Sequence, residues 1–209
     1  SVQSNDVGSA PMPLDTVFRV IRDIYANNRC PLRYRHQMTF PSPETFARWA
    51  ESDKKQYLCE NDRLALGPLK LYKDGSLGAR TATMRQEYRD DPGNFGVETL
   101  SEAEMNAFCA LADRYDMQVV THAIGDKAID RCLDYFCGEP TWTPAPVPTF
   151  RIEHAGTATP EAVRKAVNAG IAFNGQPIFL YAEITSHVGS LDLERTQKAY
   201  PMKSWIEAG

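Results

Sequence analysis

The feature that most constrains this chain is an alternation of helical and β-type segments. The punctuation is clearest in the middle. Ser101, with Glu104 three residues on, forms a capping box, and Met105, Phe108, Cys109, Ala112 and Tyr115 recur at helical spacing, which predicts a helix over about 101–115. MQVVTHA then reads as a strand, and Ala128, Ile129, Cys132, Leu133 and Phe136 form one stripe of a helix over about 126–137 that Gly138 stops. Pro140, Pro144, Pro146 and Pro148 force an extended loop. TFRIEH is the next strand, followed by a helix with Thr159 as N-cap, Pro160 at its first position and Gly170 at its end, and by the strand IAFN. Upstream, helices near 14–28 and 43–51 alternate with strands in LRYRHQMTF and PLKLYKDG, and a last helix is expected over about 191–208. Such alternation demands parallel strands with right-handed crossovers, hence an α/β protein, either a barrel or an open doubly wound sheet. About five strands are visible, and 209 residues fall short of the roughly 250 that a closed eight-stranded barrel takes.

Composition narrows the partners. With 23 basic against 27 acidic side chains the net charge is −4, and no cluster of Lys and Arg suits a nucleic-acid groove or an anionic membrane. No apolar run reaches the roughly 18 residues that span a bilayer, and the opening SVQSNDVGSAPMPLD lacks the blocks of a signal peptide. Five scattered cysteines (Cys30, Cys59, Cys109, Cys132, Cys137) without a CxxC pair support neither a disulfide framework nor a thiolate zinc site, and reduced thiols in the cytoplasm are the expectation.

Active sites of parallel α/β folds gather at the carboxyl ends of strands. Three strands end in polar residues: PLKLYKDG with Lys70, Lys73 and Asp74, MQVVTHAIGD with His122 and Asp126, and TFRIEHAG with Arg151, Glu153 and His154. An ammonium inside an apolar strand costs several kcal/mol unless paired or neutralised, so Lys70 needs an explanation. Carbamylation into a metal-bridging carboxylate and Schiff-base formation with a carbonyl substrate are two; a salt-bridged or snorkelling side chain is the plain alternative. His122 and His154 on successive strands suit the imidazole half of a metal site, whereas either alone could be a satisfied core histidine. His36, beside Arg33 and Arg35, and His187, in ITSHVGSLD, read as solvated, and Asp74 with Gly75 and Gly78 could form a plain turn. Glu153 neighbours His154 on its strand and so points to the opposite face. The segments 80–98 and 177–190 read as loops.

LKLYKDGSLGARTA, THAIGDKAID and RIEHA, in this order, resemble the amidohydrolase superfamily, and within it the YtcJ-like metal-dependent hydrolases of amidohydrolase family 3. The resemblance continues through YRDDPGNFG, NGQPIF and LERTQKAYPMKSWIEAG. It implies a (β/α)8 TIM-type barrel, of which residues 1–209 would form a single truncated catalytic domain. It implies a carboxylated Lys70 and metal ligands at His122 and His154 as catalytic residues, with Arg80 and Tyr88 over the substrate. The implied cofactor is divalent metal, zinc by expectation, as one or two ions. The implied activity is hydrolysis of a non-peptide carbon–nitrogen bond in a small molecule by metal-activated water. A Schiff-base lyase built on Lys70 and a non-catalytic scaffold whose strand edges pair with a second copy are the competing readings.

Two departures stand beside the match. The superfamily's His-x-His pair of the first strand is absent from the sequence, and the chain stops at Glu207-Ala208-Gly209, where an eighth strand and its catalytic Asp should begin. A fragment lacking the first and eighth strands, inactive by itself, is the expectation. Gly156 also stands where the family usually has the Gln of RIEHAQ.

Overall fold

The computed structural model describes residues 2–7, 13–26, 30–54 and 63–209. Six strands, hydrogen-bonded in chain order, form one sheet: β1 (Val2–Val7), β2 (Tyr34–Met38), β3 (Leu64–Tyr72), β4 (Val119–Ala123), β5 (Phe150–His154) and β6 (Ala172–Asn174). The pairs β1–β2, β2–β3 and β5–β6 are parallel. Between the strands run the helices α1 (Leu14–Ala26), α2 (Pro43–Ser52), α3 (Glu102–Arg114), α4 (Asp126–Phe136) and α5 (Pro160–Ala169), and α6 (Pro177–Leu191), α7 (Leu193–Gln197) and α8 (Met202–Ala208) follow the last strand. The expected α/β alternation is therefore present, with β1 as a strand beyond the five legible in the sequence. Pro68 to Leu71 are all buried, as in a strand covered on both faces.

The chain divides into two compact units, residues 1–70 with 102–119 and residues 71–101 with 120–209. In the first, α2 begins at Ser42, whose hydroxyl accepts the Thr45 N–H, with Pro43 at the first position. Its buried face carries Phe46 and Trp49, which pack with Phe40 at centroid distances of 5.1 and 5.0 Å, and Phe46 meets Phe108 of α3 at 6.3 Å. This aromatic group is part of the unit's core, beside Met38, Leu64, Leu69 and Met105, and full burial of each such ring contributes roughly 1.5–3 kcal/mol.

In the second unit, Ala128, Ile129, Cys132, Leu133 and Phe136 of α4 are buried, as their helical spacing requires. Phe136 stacks on Phe150 at 4.3 Å. Cys137, in right-handed conformation, is the C-cap of α4, one residue before the expected Gly138. For α5 the punctuation is as read: the Thr159 hydroxyl accepts the Ala162 N–H, and Gly170 ends the helix in the left-handed conformation at φ 67°.

The sequence reading is corrected at four places. Residues 177–190, expected as a loop, lie in helix α6, which Pro177 opens. The single last helix breaks into α7 and α8, because Pro201 cannot donate to a helical ladder and Tyr200 before it sits at φ 49°. His36 and His187, expected in solvent, are both fully buried. Cys59 lies outside the described residues; Cys30, Cys109, Cys132 and Cys137 form no disulfide among the described residues. No helix among the described residues is long and apolar enough to cross a membrane.

Candidate active site

The site is built at the carboxyl ends of the strands in the second unit. His122 is the fourth residue of β4 and His154 the last of β5, and their rings meet edge to face with centroids 4.6 Å apart. The strands are knit past their ends by the Ala155 N–H, which donates to the Ala123 carbonyl at 3.1 Å. His154 and Ala155 are consecutive non-glycine residues at φ 72° and 46°. Such backbone costs of order 1–3 kcal/mol per residue and persists only where the surroundings over-determine it, so the turn that carries His154 is held in place by its neighbours.

His122 is oriented by the loop that follows β3. Its Nε2 lies 2.8 Å from the Gly75 carbonyl and 3.5 Å from Asp74 Oδ1. A carbonyl only accepts, so Nε2 carries the proton and Nδ1 is the ring's acceptor. That second-nitrogen hydrogen bond is the arrangement that fixes a metal-binding imidazole. Asp74 is a structural clamp: Oδ2 accepts the N–H groups of Thr83 and Gly125 at 2.9 and 2.8 Å, and Oδ1 that of Ile124 at 3.0 Å. It thereby ties the loop after β3 to the turn between β4 and α4. Burial pushes its carboxyl up to about 6, against the pull of those three amides and of Lys73. Two aromatic rings flank the pair, Tyr72 at 5.6 Å from His122 and Phe179 at 5.5 Å from His154.

The structure brings His122 and His154 together, and the other candidates have partners of their own. Lys70 is buried in β3, in the first unit. Lys73 is buried with its charge met by Glu98 and by the Leu100 carbonyl at 2.7 Å. Arg80, at φ 57°, pairs with Asp90. Tyr88 is wholly enclosed with Leu77, Ala82, Met84, Ile124 and Leu191, and its hydroxyl donates to the Ala82 carbonyl at 2.8 Å; burial raises its pKa. Asp126 holds the loop rather than an imidazole, accepting the Arg85 N–H at 2.8 Å. Glu153, fully buried, accepts from Arg151 Nε at 2.8 Å, from Gln176 Nε2 at 3.3 Å and from Asn174. Reasoning from sequence missed Tyr72 and Phe179; only the strand-end position of Tyr72 and the proximity of Phe179 to Pro177 could have signalled them.

Two imidazoles, one with its far nitrogen tied to a carbonyl, are donors suited to a divalent metal that takes nitrogen ligands. They provide part of a ligand set: among the described residues no group of three or more His, Cys, Asp and Glu stands ready to hold a metal ion.

Comparison with known proteins settles the family. The model of the amidohydrolase family matches residues 14–209. The chain belongs to the amidohydrolase family. This amidohydrolase chain is 31% identical over 175 residues to Protein LONG AFTER FAR-RED 3 of Arabidopsis thaliana, covering 84% of the chain and 30% of that protein. It is 28% identical over 181 residues to YtcJ of Bacillus subtilis (strain 168), an amidohydrolase by name, covering 87% of the chain and 32% of YtcJ. It superposes on the crystal structure of an uncharacterized metal-dependent hydrolase from Pyrococcus furiosus with a TM-score of 0.74 at 26% identity, over 91% of the chain and 38% of that structure. The amidohydrolase chain thus has the hydrolase fold, as part of an amidohydrolase-type barrel, and spans about a third of the length of the curated relatives it matches.

Proposed function

We propose that the protein is a metal-dependent hydrolase acting on a non-peptide carbon–nitrogen bond of a small molecule, with His122 and His154 as metal ligands. The observation that carries this reading is the His122–His154 pair at two adjacent strand ends, with rings 4.6 Å apart, in a chain of the amidohydrolase family. A divalent metal, once bound, lowers the pKa of its water to about 7 and so supplies a nucleophile at neutral pH. The resemblance gives Lys70 the role of a carbamate ligand, and the near-complete burial of its side chain supports a neutralised or paired amine there.

The remaining work falls to the chain's own groups. Gly75 holds the His122 Nε2 proton, keeping Nδ1 as the donor to metal. Asp74 fixes the turn on which His122 is presented. Tyr72 and Phe179 flank the imidazoles and pack against their rings. Arg80 and Tyr88 are assigned to the substrate side by resemblance; Tyr88 would act there by shaping the loop that it anchors.

The test is the elemental metal content of the purified chain after incubation with zinc and bicarbonate, beside a His122→Ala/His154→Ala double variant. Stoichiometric zinc that is lost in the variant is the expected result. Zinc retained by the variant, or absent from both proteins, rejects His122 and His154 as ligands.

A further inference from the structure

One face of α6 carries Phe179, Glu183 and His187, at positions i, i+4 and i+8, which line up along one side of a helix. One end of this stripe reaches the end of β5 directly, and the other is linked to the segment after it through Tyr200. At one end, the Phe179 ring lies 5.5 Å from His154. At the other, the fully buried His187 lies nearly parallel to Tyr200, centroids 6.0 Å apart and planes at 19°. Tyr200 in turn covers Gly156, two residues past His154: its N–H donates to the Gly156 carbonyl at 2.6 Å, and a β-carbon at 156 would meet the ring at 3.1 Å. Glu183 sits between these anchors on the same helix face, one turn from Phe179 and one turn from His187.

Its surroundings are those of a binding group. His187 Nε2 lies 3.1 Å from Glu183 Oε2, which fixes the carboxylate and leaves Oε1 to accept from elsewhere. The side chain is 39% exposed, so a ligand can reach it, and among the described residues no Lys or Arg pairs with it. The nearby phenol reports the same electrostatics: burial pushes Tyr200 up to about 12, and the charges of Glu183 and Asp74 add to that. A carboxylate held by one oxygen, with the other open to solvent, is placed to accept a charge-assisted hydrogen bond from a cationic nitrogen.

We infer that Glu183, oriented by His187, selects the substrate, and that the group it takes is a cationic nitrogen, an ammonium or guanidinium remote from the bond to be cleaved. The inference rests on the reading of His122 and His154 as the reaction centre, but its test separates the two. The probes are 6-aminohexanamide and its uncharged isostere heptanamide, titrated calorimetrically into the 209-residue chain with and without zinc. The charged amide binds at least about tenfold more tightly than the neutral one. Glu183→Gln brings the two to about the same affinity, with zinc content and melting temperature unchanged. His187→Phe, which keeps a ring against Tyr200 and removes the donor, reduces the preference part of the way. Binding of neither amide, or a preference that survives Glu183→Gln, overturns the assignment of Glu183 while leaving the metal ligands standing. Failure of the wild-type chain to take up zinc overturns the metal reading instead, and the preference measured without zinc still decides Glu183.

Discussion

At position 36 strand β2 passes from water into the core. Arg35 is exposed and His36, on the other face of β2, is fully buried, its Nδ1 within 3.2 Å of the Tyr34 hydroxyl and its Nε2 without a hydrogen-bond partner. Burial pushes the imidazole down to about 4, from 6.5 in the unfolded chain. The fold therefore favours the neutral form: its stabilisation is complete above pH ~6.5 and is lost as pH falls through about 4. At 1.36 kcal/mol per unit, the loss is about 2.5 kcal/mol by pH ~4.5. Urea midpoints measured at pH ~7 and ~4.5 should fall more for the wild type than for His36→Phe; equal falls would remove His36 as the cause. The same position shows why single residues are legible unevenly. His122 and His154 announce themselves because a polar residue ending an apolar parallel strand has few structural reasons to be there. His36 and His187 were hidden by charged or small polar neighbours, since burial there depends on which face of the strand or helix is covered.

Helix α5 was legible to within a residue at both ends because its boundaries are local chemistry: a hydroxyl that satisfies an orphan N–H, a proline whose missing N–H costs nothing, and a glycine free to turn left-handed. Thr159→Ala is expected to cost about 1 kcal/mol through the lost bond to Ala162, and Gly170→Ala about 1 kcal/mol through φ 67°. Some ten residues of helix, roughly 15 Å, separate the two ends, so the double variant should lose the sum. Denaturant titration of the three variants checks this, and a double-variant loss well short of the sum would show that the ends are coupled. By contrast α6 escaped the sequence reading. Its apolar residues do not keep to one stripe: Ile178, Tyr181 and Ile184 are exposed, while the face that carries Phe179 also carries Glu183 and the buried His187. A helix whose inward face holds polar groups shows no amphipathic pattern, and only Pro177 marks its start. Strand β1 escaped for a related reason. SNDV has little of the β-branched, apolar character of a strand, and the segment is made one by parallel pairing with β2, from Val2 opposite Tyr34 onward.

Across the whole molecule, Asp74, His122, His154 and Phe179 come from four separate segments, each just at or beyond the carboxyl end of a strand. This is why fold and site could be read together. Parallel strands put all such ends on one side, so motifs scattered over about a hundred residues converge without any of them being adjacent in sequence. What lay beyond reach was the wall contributed by α6 and Tyr200, which no strand end specifies. The same convergence couples metal binding to the stability of the fold, because the unfolded chain holds the two imidazoles 32 positions apart and only the native state assembles them. A metal that binds the native chain alone stabilises it by about 2.7 kcal/mol at a hundredfold excess over its Kd. For a chain of this size that raises the melting midpoint by about 5–10 °C. Thermal melts of the wild-type chain after chelator treatment and after zinc addition should show that rise, and His122→Ala/His154→Ala should melt at one temperature under both conditions. A rise that persists in the double variant would place the stabilising metal elsewhere in the chain, whereas its absence from the wild type would mean that the native state gains nothing from bringing the two rings together.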